Sequence, residues 1–286
     1  MASQVITFQP HELLQPGAGE PVRVQWLGAA GFRVSHGDCS LWIDPFLTRP
    51  SLPRCIARRV ASDREVVARH VDRADAVLVG HTHLDHALDV PWVARLTGAD
   101  VYGSWSAARL CHAQGVADGQ VHVVEREAGA EPVQVRVGPF EVRFVPSRHA
   151  KMLAGRVPFA GEIEQVGRGP LRASEYRCGA VFVMELRVAG RLIVHVGSAA
   201  VDRGESEAQA DLVLLCASGW RASPRLPETL VERYGPRAVL LSHWDDFFRG
   251  LEEPVRELPR VGMDELARRL GDRKVGKVGL LQTIQV

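Results

Sequence analysis

The chain has 286 residues, enough to bury roughly three quarters of its unfolded surface around a full hydrophobic core. Apolar residues make up 46% and charged residues 24%, values of an ordinary compact protein that exclude disorder, collagen-like repeats and coiled coil. The 35 basic and 34 acidic side chains leave a formal charge of +1, so no global field draws the chain to nucleic acid or an anionic membrane.

The first ten residues carry neither a basic start nor a seven-residue apolar core, so no secretory signal is expected. No window approaches the roughly 18 apolar residues of a spanning helix. The five cysteines (Cys39, Cys55, Cys111, Cys178, Cys216) are odd in number and scattered. That pattern predicts reduced thiols in a cytoplasm rather than a disulfide framework.

After a Pro/Gly-rich entry (Pro16, Gly17, Gly19, Pro21), residues 22–26 alternate, residues 28–31 form a turn and residues 32–34 resume, which predicts a hairpin. Residues 41–43 form a third strand halted by Asp44-Pro45, and the Arg-rich residues 51–70 predict an exposed helical excursion. Residues 76–79 are continuously apolar, the mark of a strand buried on both faces, and end at Gly80. Asp89 and Pro91 start a helix whose stripe of Trp92, Val93 and Leu96 stops at Gly98.

Strands are predicted at residues 121–124, 133–137 and 140–145, then at 180–188, 192–196, 212–215 and 239–241. Residues 227–234 and 263–270 read as helices. Residues 150–178 hold glycines, prolines and mixed charges without a period, and are long enough for a substrate-side insertion. The whole, residues 1–286, reads as one α/β domain with two sheets back to back.

The sharpest feature is His81-Thr82-His83-Leu84-Asp85-His86, placed between a buried strand and a helix. It packs borderline metal ligands at high density. In an extended loop His81 and His83 project to one side and can reach one metal, while Asp85 and His86 can face a second. Further ligands must come from elsewhere, and His149 and His243 each follow an apolar run.

With Trp26-Leu27-Gly28, Ile43-Asp44-Pro45, Ser147-Arg148-His149, Gly197-Ser198-Ala199 and Leu241-Ser242-His243 in the same order, the chain resembles the metallo-β-lactamase superfamily over most of its length. The resemblance implies a four-layer αβ/βα sandwich with two mixed β-sheets and the metals at one rim. It implies a first metal held by His81, His83 and His149, and a second held by Asp85, His86 and His243. Most relatives bridge the metals with an aspartate where this chain has Ser198. Loss of that charge weakens the second site and leaves more positive charge facing a substrate.

The activity so implied is hydrolysis, with hydroxide on a divalent metal attacking a small ester, lactone or phosphoester, as in the lactonase-like and phosphodiesterase-like bacterial branch. Asp85 would orient that hydroxide or relay its proton. Zinc is the expected metal, in one or two ions, with manganese or iron as alternatives. An iron-dependent oxidoreductase or a metal-dependent nuclease would use the same ligands, and the balanced charge disfavours the nuclease.

Arg148 and Lys151 flank His149 and could grip an anionic substrate. Ser198, Trp220, Trp244 and Phe247 are further substrate-side candidates, and Asp245 or Asp246 could orient a metal-bound imidazole. His195, in an apolar strand, is expected to be a core histidine, and Cys216 a buried thiol. Gly28 to Gly31 lacks the Lys-Ser/Thr of a phosphate loop and is read as a hairpin turn. A small molecule is the expected partner, with no nucleic acid and no membrane.

Overall fold

Alternation along the strands divides the apolar residues between two faces, and the computed structural model shows what each face covers. It describes every residue except 1–3, 15–18, 127–130, 153–154, 199, 203–205 and 207. Pro16, Gly17, Ala199 and part of the 150–178 insertion thus lie outside the described residues.

A seven-stranded mixed sheet runs in the order Thr283–Gln285, Arg23–Gly28, Gly31–His36, Cys39–Ile43, Ala76–Leu78, Asp100–Gly103, Val121–Val123. An eight-stranded mixed sheet runs Ile6–Thr7, Lys274–Lys277, Ala238–Ser242, Leu212–Cys216, Arg191–Val196, Val181–Val188, Phe140–Ser147, Val133–Val137. Trp26, Phe32, Leu41, Ile43 and Leu78 share one core with Phe144, Met184, Leu214 and Leu240. That core lies between the sheets. Their alternating neighbours Leu27, Trp42, Val77 and Val79 form a second core with Val67, Val93, Ala94, Ala107 and Cys111 of the covering helices. On the other side, helices Leu226–Tyr234 and Met263–Arg269 pack through Leu230, Tyr234 and Leu266. The result is the four-layer sandwich.

The hairpin forms as expected, with Gly28 opposite Gly31 across its turn. Gly28 adopts φ 91 and Arg49 lies where a Cβ would stand, so a larger residue has neither the backbone nor the room. Helix Val90–Thr97 begins with Pro91 in its first turn and ends on left-handed Gly98. Asp89 does not cap it. Its buried carboxylate instead accepts the Leu47 and Thr48 amides at 2.7 and 2.8 Å, fixing the chain that leaves the Asp44-Pro45 turn.

Residues 51–70 hold two short helices, Leu52–Ala57 and Arg64–His70, rather than one excursion. Between them Arg59–Val60 pairs with Leu171–Arg172 of the insertion. The helix Trp105–Ala113 and the strands Asp100–Gly103, Lys274–Lys277 and Thr283–Gln285 were not expected from the pattern. Each is short or half-polar, and gains its stability from the neighbour it covers rather than from its own periodicity.

Candidate metal centre

Parallel pairing of Cys39–Ile43 with Ala76–Leu78 sets Ile43 opposite Leu78, so the two loops that follow leave the sheet side by side. Asp44, with φ 45, turns its buried carboxylate across this gap. Its Oδ1 accepts the Gly80 amide at 2.7 Å, and its Oδ2 lies 2.8 Å from His86 Nδ1. A non-glycine residue in the left-handed region is strained, and the two hydrogen bonds hold it there. Sequence reasoning had treated Asp44 only as a landmark; an aspartate before proline at a strand end reads as a turn.

His81 follows the strand Ala76–Leu78, His83 precedes the short helix Leu84–Ala87, and Asp85 and His86 lie within it. His149 arrives from the end of Phe140–Ser147 and His243 from the end of Ala238–Ser242. The structure brings these six residues into two groups, His81/His83/His149 and Asp85/His86/His243, each with ligand atoms within 4.8 Å of one another. Asp44, His81 and His86 form a third such group between them. The rings of His81 and His86 are 3.8 Å apart, and His243 Nε2 lies 2.9 Å from Asp85 Oδ2. His83 Nε2 also meets the Pro158 carbonyl at 2.8 Å, tying the insertion to the motif.

Burial sets the protonation of the first group. It pushes His81 well below the ordinary histidine value, with the neighbouring imidazoles adding to the effect, and it lowers His83. His149 is lowered to about 4, again chiefly by burial. Burial opposes ionisation of Asp85, but His86 and His243 outweigh it and hold the carboxyl well below its usual range. His86 moves the other way: burial disfavours its cation, and Asp85 and Asp44 overcome that penalty. Neutral imidazoles beside ionised carboxylates are the forms that bind a metal ion.

The cluster forms the floor of a 510 Å³ cavity walled by Leu84, Pro158, Phe159, Ala173, Phe247 and Phe248. Phe247 sets its ring edge-on to His243, 5.1 Å between centroids. Ser198 and Cys216 also line the cavity.

Residues 23–229 match the family model of the beta-lactamase superfamily domain. The chain belongs to the metallo-β-lactamase superfamily. Within it, a UPF0173 metal-dependent hydrolase of Methanopyrus kandleri is 26% identical over 85% of this chain and 94% of its own length. One from Cupriavidus taiwanensis is 33% identical over 52% of this chain, and that match spans about half, 49%, of the relative. Among solved structures, the metallo hydrolase Igni18 of Ignicoccus hospitalis superposes with a TM-score of 0.54 at 16% identity, covering 93% of this chain and 98% of that one. The diiron β-hydroxylase CmlA of Streptomyces venezuelae gives 0.59 at 16% identity, covering 95% and 55%.

The superfamily's metals fit the residues present. The donor set is imidazole and carboxylate, suited to zinc, manganese and iron, and the buried Nδ1 atoms of His81 and His243 have no hydrogen-bond partner among the described residues. Ser198, at the superfamily's bridging position, is otherwise engaged. Its hydroxyl donates to the Arg148 carbonyl at 3.1 Å, and its own carbonyl accepts the Ala150 amide at 3.1 Å. It therefore clamps the residues on either side of His149.

Four expected substrate-side residues are not brought to this cavity. Arg148 is exposed and paired with Asp202, and with Lys151 it lines a separate hollow bordered by Arg225. That hollow adjoins the metal cavity at His149, which lines both. Trp220 is buried in the core, donating its indole N–H to the Val261 carbonyl at 2.7 Å. Trp244 stacks on Trp26 at 4.9 Å, because a chain that turns His243 toward Asp85 puts the next side chain on the core side. Nor does Asp245 or Asp246 touch an imidazole. Asp245 accepts the Ala29 amide and pairs with Arg49, Asp246 pairs with Arg256, and Asp44 takes the role foreseen for them. His195 is buried with Nε2 on the Ala30 carbonyl at 2.8 Å, a core histidine.

Proposed function

We propose that this metal-dependent hydrolase cleaves a small ester, lactone or phosphoester, with zinc as its metal in one or two ions per chain. The observation that carries the reading is the pair of His/Asp groups, each within 4.8 Å, on the floor of a 510 Å³ cavity. His81, His83 and His149 would hold one ion, and Asp85, His86 and His243 a second. A bound ion supplies Lewis acidity and acidifies water near neutral pH.

The chain's own residues do the rest. Asp85 stays ionised beside His86 and His243, and so offers an acceptor that orients the attacking water or takes its proton. Asp44 fixes the ring of His86, and Phe247 and Phe248 keep bulk water from the floor. The Ser198 hydroxyl is committed to Arg148, which leaves proton handling to Asp85. Five scattered cysteines with no disulfide among the described residues support a reducing, cytoplasmic setting with a small-molecule partner.

Elemental analysis of protein purified without an affinity tag or added metal tests this reading together with ester, lactone and phosphoester turnover. About two equivalents of zinc or manganese are expected for a filled binuclear site, and about one if the absent carboxylate at Ser198 weakens the second. His83→Ala and His149→Ala are each expected to lose metal and turnover together. Iron as the sole metal, with no hydrolysis of any of the three classes, would overturn the proposal in favour of redox chemistry.

A further inference from the structure

The cavity above the metal cluster changes character from floor to mouth. Among the described residues, four of the exposed large hydrophobic side chains line this one hollow: Leu52 (46%), Ile56 (73%), Met152 (41%) and Phe159 (49%). Solvent-exposed apolar side chains gathered at one opening mark a binding surface rather than chance. Leu52 and Ile56 are four residues apart on one helix and so share a face. Met152 and Phe159 come from the insertion, and the Arg59–Val60 pairing with Leu171–Arg172 joins the two segments into one cover.

Charge is sparse along this path. Apart from the histidines, Arg172 is the one cation among the described lining residues, and Asp85 the one carboxylate. The cations that could neutralise a phosphate, Arg148 and Lys151, line the other hollow. A group that crosses from the cluster to the mouth therefore meets Phe247, Phe248, Leu52 and Ile56 in place of fixed charge.

We propose that the substrates are neutral esters or lactones with an unbranched hydrocarbon acyl group, the carbonyl at the His/Asp cluster and the chain running out between Ile56 and Phe159. The inference rests on the hydrolase reading above and narrows its substrate class. Water adds its oxygen to the acyl carbon and the acyl C–O bond breaks; an ester gives a carboxylic acid and an alcohol, a lactone a single hydroxy acid. One proton of the water ends on the alcohol oxygen and the other on the acid, with no further reactant. A cavity of 510 Å³ has the size of a pocket for a drug-sized molecule, room for such a chain.

Two readouts separate this inference from the hydrolase reading itself. Calorimetric binding of butanamide, hexanamide and octanamide to the metal-loaded protein reads recognition without turnover. Affinity is expected to rise by about fourfold per added methylene. The kcat/KM for p-nitrophenyl acetate, hexanoate and decanoate is expected to climb in the same sense. The double variant Ile56→Asp, Phe159→Asp changes exposed side chains, and is expected to cut the dependence on chain length to about half or less in both assays.

Equal affinity for the three amides overturns the proposal. So does a chain-length dependence that the double variant leaves intact, or turnover confined to the acetate. A chain-length dependence in binding with no ester, lactone or phosphoester hydrolysed supports the apolar recognition and overturns the hydrolase reading, whereas turnover of phosphoesters alone keeps that reading and overturns this proposal.

Discussion

Asp44 ties the histidine motif to the sheet: one oxygen holds the Gly80 amide and the other His86 Nδ1. A carboxylate behind a ligand histidine sets its ring orientation, and its loss typically weakens metal binding 10- to 100-fold. Asp44→Ala is therefore expected to lower zinc affinity by about that factor while the fold persists, as measured by competition with a chromogenic chelator; unchanged affinity would remove Asp44 from the site. The histidines make a prediction of their own. An unfolded histidine takes its proton near 6.5, whereas half-buried His149 resists until about 4, with His81 and His83 also lowered. Between those values the unfolded state binds more protons, so stability rises with pH. His86, raised by its carboxylates, works in the opposite sense but stands against three. The melting temperature of metal-free protein is expected to fall as pH drops from about 6.5 toward about 4, and calorimetry showing the reverse would contradict this assignment of neutral imidazoles. The histidine motif was legible in the sequence because its spacing is local. Asp44 was not, because only the register of Ile43 against Leu78 places it beside Gly80.

At the scale of elements, the helix Leu52–Ala57 and the insertion form a single cover although more than ninety residues separate them in sequence. Val60, fully buried, packs with Leu171 and Tyr176, and Thr82 of the metal motif donates its hydroxyl to the Arg177 and Cys178 carbonyls at 2.5 and 3.1 Å. Val60→Asp places a charge in that small cluster and is expected to detach the cover. The outcome predicted is a KM raised by about tenfold or more with the metal content unchanged, since Val60 touches no ligand. A parallel loss of metal would show instead that the cover holds the cluster together. The aperiodic stretch at 150–178 announced a functional segment, yet its partner did not show, because a two-residue pairing leaves no pattern.

Across the whole molecule, Asp245 joins parts of the chain that enter from both sheets. It accepts the Ala29 amide at 3.0 Å and holds Arg49 Nη2 at 2.6 Å, both fully desolvated, while Arg49 Nε donates to the Arg249 carbonyl at 2.6 Å. Removing one member of a buried ion pair strands the other, at a cost of about 3–5 kcal/mol. Asp245→Ala is expected to lower the denaturant midpoint by an amount corresponding to that loss; a change below about 1 kcal/mol would mean that water replaces the carboxylate.

Two sheets and a cluster of candidate ligands were legible in the sequence alone. Alternation in residues 22–26 and the continuous apolar run at 76–79 marked strands, and a six-residue motif with His149 and His243 past apolar runs offered the candidate metal donors. Both signals are local, since a strand's period and a ligand spacing are properties of neighbouring residues. Only the tertiary structure decided what surrounds those donors: that Trp220 and Trp244 fill the core, that Arg148 and Lys151 face another hollow, that Ser198 clamps His149, and that Asp44 orients His86. Each depends on which residue of a distant strand or loop lies opposite, and that is set by sheet register and packing between segments far apart in the chain.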